Sequence, residues 1–301
     1  MGGTELDQVD SYKYLGLDFK ANLSWSETKD RLARKAKARL AIVRKAIIEG
    51  ISMEATEGLW AALIRPILEY GCELWGATNW PAAEQIQREV GRRLLGMNSK
   101  AADEAIRGDL GWWTMKGRRD FARLKFWHKI VHLPEDRLLK QVYNAEKASM
   151  AGDRSSWVFA TKKLLTELQL AHIWESEATG PASAWQVLIR EATKAREIAA
   201  WNSGMEKKPK LRTYRTLKTD FGREDYLALP PQQRSIIAVM RSGTNSLRIE
   251  TGRWKREAVE DRICVLCGTA EVEDAYYSMC YVLRLGECTK WFKRKQDGAF
   301  G

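Results

Sequence analysis

Four of the five cysteines stand between positions 264 and 288, and their spacing is the first candidate for chemistry. Cys264-Val265-Leu266-Cys267-Gly268 is a CxxC turn closed by glycine, a geometry that points two thiolates at one ion. Cys280 follows after twelve residues and Cys288 after seven more, so the four could form a zinc site of four cysteine ligands. Unbound reduced thiols are the other reading. A redox CxxC is disfavoured, because no βαβ pattern precedes it.

Other chemistries find little support. His128 and His132 sit at helical i, i+4 spacing, which could hold a metal, but Lys129-Ile130-Val131 between them supplies no glutamate to activate water. Side chains on a packed helix are the better account. The acidic pairs Glu135-Asp136, Glu224-Asp225, Glu260-Asp261 and Glu273-Asp274 stand beside polar or basic residues in turn or helix-start contexts. They are expected to be solvated, and none resembles the adjacent aspartates of a two-metal polymerase hairpin. There is no nucleophile elbow and no phosphate-binding P-loop.

Charge points elsewhere. The 301 residues carry 50 Lys+Arg against 39 Asp+Glu, a net +11. Residues 29–45 hold eight basic residues and one acid, residues 116–129 six and one, and residues 207–218 six and none. Together these windows exceed the net charge of the whole chain, so the remainder is acidic. Concentrated positive charge suits a polyanion, because each neutralised phosphate releases counterions. Solvated helix faces are the alternative for any one window. No apolar run reaches a membrane span, and the N-terminus lacks a basic-then-apolar leader, so no membrane partner is expected. The clustered thiols suggest a reducing intracellular compartment, nucleus or cytoplasm.

The elements that must position these groups are mostly helical. Tyr12, Tyr14, Leu17 and Phe19 around Gly16 predict a strand or short hairpin. Ser24-Trp25-Ser26-Glu27 reads as a capping box, followed by an apolar stripe at Leu32, Ala36, Leu40, Val43 and Ile47 and a stop at Gly50. A second helix runs from Met53 past Leu63, and Pro66 should kink or end it near Arg65. Trp80-Pro81 opens a third, with Ala83, Ile86, Val90 and Leu94 on one face. Further helices are expected near 100–107, 115–132, 136–147, 156–173, 181–201 and 231–241. A boundary is expected at 152–156, a charged linker at Asn202–Pro209, and a loop-rich tail from 242. Trp60 and Trp127 lie in apolar helical runs and should be core. The fold class is mainly α: a helical bundle with a short N-terminal β segment, a second helical region and a small Cys-bearing tail.

Several runs, in this order, resemble the reverse transcriptases of non-LTR (LINE-type) retrotransposons. Lys13-Tyr14-Leu15-Gly16-Leu17 resembles the strand that follows the palm. Arg65-Pro66-Ile67-Leu68-Glu69-Tyr70-Gly71 with Trp75-Gly76 resembles a thumb helix. Gln87-Arg88, Arg93-Leu94-Leu95-Gly96, Leu110-Gly111-Trp112, Lys210-Leu211-Arg212-Thr213-Tyr214 and Asp225-Tyr226-Leu227 continue the pattern. The run Arg241 to Glu250, then Gly252-Arg253-Trp254, leads into the CxxC. The resemblance covers nearly all of 8–288. It implies a primer-grip strand segment at 1–22, a helical thumb at 23–150, a helical linker at 151–204, and a basic linker plus zinc-knuckle-like tail at 205–301.

The implied function is nucleic-acid binding within an RNA-directed DNA polymerase, with RNA and/or DNA as partner. A thumb grips a primer–template duplex by backbone contacts, which need charge and shape rather than base readout. Lys13 and Tyr14 are candidates as primer grip, and Arg31, Arg34, Lys35, Arg39, Arg118 and Arg119 for phosphate. Arg241, Arg248 and Arg253 could hold a single strand, with Trp254 stacking on a base. Two departures matter. The family's catalytic Asp-Asp hairpin belongs upstream of the Tyr-Leu-Gly strand, so no polymerase activity is expected of this chain alone. The family's knuckle also has a histidine where Tyr277 stands, so zinc requires Cys288 as fourth ligand or is lost. An N-terminal strand without its palm sheet has an open edge and invites self-association. A helical scaffold for an acidic protein, or a transposon remnant without a role, are the rival readings.

Overall fold

The computed structural model describes residues 9–149, 156–264 and 271–274. It is mainly helical with one short two-stranded sheet, as the periodicity predicts. Strands β1 (Ser11–Tyr14) and β2 (Leu17–Lys20) pair antiparallel, with Tyr14 opposite Leu17. Leu15 (φ 45°) and Gly16 (φ 79°) are both left-handed, as a two-residue hairpin turn of this twist requires. The Tyr70 hydroxyl donates to the Leu15 carbonyl at 2.5 Å and holds this turn against the bundle.

Helix α1 (Ser26–Ile48) buries Leu32, Ala36, Leu40 and Val43, the stripe read from the sequence, with Ile47 at its margin. The capping box does not form. Glu27 pairs with Lys20 at 3.3 Å, and the Ser24 hydroxyl bonds Ser26, so neither side chain caps the helix. Gly50 (φ 71°) ends the helix, and the next amide, Ile51, returns to the Ala46 carbonyl at 3.0 Å.

Pro66 neither ends nor breaks the second helix. Helix α2 (Met53–Leu59) widens into a π-turn at Trp60–Ile64 and continues as α3 (Arg65–Glu69). A π-turn shifts bonding to i→i+5, and this one ends two residues before the position that lacks an N–H. Helix α4 (Cys72–Trp75) follows. Helix α5 (Pro81–Leu94) has Pro at its first position and buries Ala83, Ile86, Val90 and Leu94, as expected.

Helix α6 (Asp103–Leu110) leads to α7 (Met115–Val131), whose start is fully capped. Glu84 accepts from the Met115 and Lys116 amides at 3.0 and 2.8 Å, and Thr114 Oγ1 accepts from Gly117 at 2.9 Å. Burial raises the Glu84 carboxyl pKa against the pull of those amides. Helices α8 (Leu138–Ser149), α9 (Trp157–Glu167) and α10 (Ala171–Ser176) form the second helical region. Of the boundary expected at 152–156, only Ser156 is described; its hydroxyl caps α9 at the Phe159 amide, 3.1 Å.

Helix α11 (Ala182–Glu206) runs through most of the expected linker, because Trp201 and Met205 extend the buried stripe of Trp185, Ile189, Thr193 and Glu197. Helices α12 (Arg212–Leu217), α13 (Pro231–Arg241) and α14 (Arg248–Trp254) complete the described chain. Among the described residues, no helix is long and apolar enough to cross a membrane.

Two apolar cores result. One joins Leu40, Trp60, Ile86 and Leu110 to Trp201, Tyr214 and Ala238, far along the chain. The other holds Trp127, Tyr143, Leu165, Trp174 and Trp185. Helices α7 and α11 each contribute to both: Met115 and Trp201 to the first, Trp127 and Trp185 to the second.

Gly108 marks how closely the first core is packed. A Cβ there would lie 2.4 Å from Tyr214 Oη and 2.7 Å from Trp201 Nε1. Both groups are held in place, Tyr214 on Asp109 at 2.9 Å and Trp201 on the Glu104 carbonyl at 2.9 Å. Helix propensity alone favours alanine by about 1 kcal/mol. We expect Gly108→Ala instead to destabilise by about 1–3 kcal/mol, because overpacking displaces two anchored rings. A thermal melt equal to or above wild type would refute this contact.

Candidate nucleic-acid interface

The window at 29–45 divides into three groups on α1. The first is structural. Arg31 Nε donates to Asp18 at 2.9 Å, and a terminal nitrogen reaches the Gly16 carbonyl. Lys29 bonds the Thr78 hydroxyl and the Asn79 carbonyl, and its pKa is lowered by burial and by Arg119. The last group is paired: Arg44 with Glu89, and Lys45 with Glu49 at 3.6 Å.

The middle group is different. Arg34, Lys35, Lys37 and Arg39 are exposed and make neither ion pair nor side-chain hydrogen bond among the described residues. Arg34, Lys35 and Lys37 lie off the apolar stripe of α1, whereas Arg39, seven residues after Leu32, is exposed although it falls on the stripe's own side. Exposed Ala38 and Ala41 separate the long side chains and leave room for an approaching backbone.

The hairpin is tied to the first turns of α1. Arg31 ties it to α1, and Arg34 and Lys35 follow one turn later, at i+3 and i+4. Thr28 adds a second tie, accepting from the Asp18 amide at 2.8 Å. On β1, Lys13 and Tyr14 are exposed, Tyr14 at 56%. The structure thus fastens the hairpin that carries Lys13 and Tyr14 to α1 at Thr28 and Arg31, the helix on which Arg34, Lys35 and Arg39 are exposed.

The α7 candidates require correction. Arg119 is 0% exposed, and none of its three guanidinium nitrogens has a hydrogen-bond partner. It lies over Trp80, 5.8 Å from the ring centroid, and burial lowers its pKa despite Glu84, Cys72 and Asp120 nearby. Its neighbour Asp120 is instead held by Arg196 at 2.6 Å, Lys116 at 2.7 Å and Arg123 at 3.1 Å. Arg118 is half-buried, 4.0 Å from Glu69. Arg119 is thus removed from any surface ligand.

Arg241 is also corrected. It is fully buried, pairing with Glu224 at 2.6 Å and Asp109 at 3.4 Å between the rings of Tyr214 and Tyr226. Burial would strip its charge, but Asp109 and Glu224 hold it and raise its pKa. Glu224, expected to be solvated, is part of this network and also binds Lys218 at 2.6 Å. Glu273 is engaged as well, accepting from the Arg248 amide at 2.8 Å.

Around α14 the charges are mostly matched. Arg248 pairs with Glu257 at 2.8 Å and Arg253 with Glu250 at 3.0 Å. The third basic window ties the chain's later part to its earlier part: Lys208 to Glu104, Lys210 to the Lys100 carbonyl, Arg212 to Glu250. Trp254 is 53% exposed, with Lys100 Nζ 4.0 Å over its ring. Sequence reading missed Lys100, which no local pattern links to Trp254.

Of the cysteine set, Cys264 is described; Cys267, Cys280 and Cys288 lie outside the described residues. Ile263 bridges Val272, and the Cys264 amide donates to the Glu271 carbonyl at 3.0 Å. Cys264 is buried, with its sulfur 3.8 Å from Glu273. His128 and His132 bond Thr179 and the His128 carbonyl, at 2.8 and 2.9 Å, as residues of a packed helix. Among the described residues, no three His, Cys, Asp or Glu side chains converge as a metal site. No family model matches the chain, and no curated protein or solved structure matches it significantly.

Proposed function

We propose that this chain binds nucleic acid through the outer face of α1 and the adjoining hairpin. It does so as the grip and thumb of a non-LTR retrotransposon RNA-directed DNA polymerase, without carrying polymerase chemistry itself. The observation that carries the reading is the set Arg34, Lys35, Lys37 and Arg39: exposed, within two turns of one helix, and without carboxylate partners among the described residues. The ordered run of family-like motifs supplies the polymerase context, and no neighbouring aspartates stand in the sequence. The outer edge of β1, unpaired among the described residues, supports self-association as part of the same reading. Zinc in the tail stays within it too; metal content, with Cys264→Ser as control, separates a zinc-bound knuckle from free thiols.

The test is salt dependence. Fluorescence polarisation with an RNA–DNA duplex should show affinity falling steeply as salt rises. The variant Arg34→Gln/Lys35→Gln/Lys37→Gln/Arg39→Gln should flatten the log–log slope by about three to four, for four lost phosphate contacts. Replacing paired Lys45 and Lys162 by Gln should leave it unchanged. An unaltered slope in the quadruple variant would refute this interface.

A further inference from the structure

A groove of about 900 Å3 opens between α3–α4, α7 and α11. Helix α7 supplies one long wall at i, i+3, i+4, i+7, i+8 and i+11, from Arg118 to Lys129. Its volume falls within the usual range of small-ligand sites, about 300–1,000 Å3. Six cations and three carboxylates line it, so its field is positive. Lys125, Lys129, Arg190 and Lys194 have no ion pair among the described residues.

The aromatic content is what separates this groove from a plain polyanion patch. Phe121 and Trp113 meet edge to face at 6.2 Å, and the Arg190 guanidinium lies 5.1 Å over the Phe121 ring. A planar guanidinium on a phenyl face extends a stacking platform, the arrangement that holds unpaired bases. Arg65 on α3 and Arg118 on α7 sit 3.9 and 4.0 Å from Glu69, too far for hydrogen bonds. The Nε atoms of both arginines and Glu69 Oε1 are buried without hydrogen-bond partners. A ligand bearing both donors and acceptors would satisfy them; a bare phosphate would be repelled by Glu69. The combination selects a planar, amine- or hydroxyl-bearing molecule that also carries negative charge.

We propose that this groove binds an unpaired nucleotide, with its base against the Phe121–Arg190 platform and its phosphate among Lys125, Lys129 and Lys194. The nucleotide comes free or as part of a single strand, and the second source rests on the nucleic-acid reading above. The site is distinct from the α1 face, so the two can fail separately.

The test uses the full chain carrying the four glutamines on α1, which removes the duplex site. Labelled oligouridine should still bind by polarisation. Lys125→Glu/Lys194→Glu, both exposed, should weaken it at least roughly tenfold, and Arg190→Gln or Phe121→Leu roughly tenfold through lost stacking. Inorganic triphosphate should compete far less well than ATP or oligouridine. ATP matching oligouridine identifies a free nucleotide as ligand, and oligouridine alone competing identifies a strand. Circular dichroism of each variant checks folding, and Arg190→Gln on an exposed side chain covers any loss of fold in Phe121→Leu. Full affinity in the Lys125/Lys194 variant, or triphosphate competing as well as ATP and oligouridine, would overturn the site.

Discussion

Arg241→Met should destabilise the protein by about 3–5 kcal/mol while leaving the salt dependence of nucleic-acid binding unchanged. Arg241 lies at the centre of a buried network, with Glu224 at 2.6 Å, Asp109 at 3.4 Å and two tyrosine rings around it. Methionine matches much of its volume, so the loss is one of charge. Asp109 is 0% exposed and, among the described residues, its carboxylate would keep the hydroxyls of Tyr214 and Tyr226, at 2.9 and 2.6 Å. An uncompensated buried carboxylate is what makes breaking such a pair costly. For a chain of this size the melting temperature should fall on the order of 10 °C. Asp109→Asn added to Arg241→Met should recover part of the loss, since the residues are in contact. A single variant that melts like wild type but binds nucleic acid with a flatter salt slope would restore Arg241 to the binding surface.

The same network sets a pH dependence. Burial opposes ionisation of Glu224, but the hydrogen bonds and charges of Arg241 and Lys218 outweigh it, and its pKa is lowered. A carboxyl with a depressed folded pKa contributes stability that is complete above its unfolded value, about 4.3. That contribution is lost as pH falls through the folded value. Through Glu224, acidification should destabilise wild type, while burial raises the Asp109 pKa and its protonation opposes that loss; Arg241→Met should show a shallower Glu224-dependent acid loss, because less stabilisation remains to be titrated away.

Arg241 also shows why part of this site was not readable in advance. Its partner Asp109 is 132 residues away, and a charge window registers density without pairing. Arg119 fails for the same reason: its neighbours Trp80 and Glu84 come from α5 and its approach. Helices set by local pattern fared better. Pro81 and four apolar residues at helical spacing placed α5 correctly. The buried stripe of α1 carried with it the exposure of Arg34 and Lys35, which lie off it, but not that of Arg39, which falls one heptad after Leu32. The π-turn before Pro66 had no sequence signal, and the capping box lost to a lysine on β2 that the motif does not include. On α7, Phe121, Lys125 and Lys129 are spaced as one face, so one wall of the groove was readable. The wall from α11 was not, since it requires the packing of two helices distant in sequence.

The second core offers the other large effect. Trp127→Ala should cost about 3–5 kcal/mol, the range for deleting a buried large aromatic. Trp127 is 0% exposed, stacks on Trp174 at 5.7 Å, touches Trp185 at 5.6 Å and donates to the Tyr143 hydroxyl at 3.0 Å. Alanine leaves a cavity among three anchored rings and an unpaired acceptor on Tyr143. The distribution of the loss is as informative as its size. Helices α8, α9 and α10 contribute only to this core, whereas α1, α5 and α6 contribute only to the first. Hydrogen exchange should therefore show protection falling most in α8–α10, with α1 and α5 retaining theirs. Helices α7 and α11 enter both cores and should lose protection only in the halves around Trp127 and Trp185. Uniform loss along the chain would mean that these two helices couple the cores into one cooperative unit. In that case the α1 face could not be assayed independently of the groove, and the variants that separate them would have to be compared at matched stability.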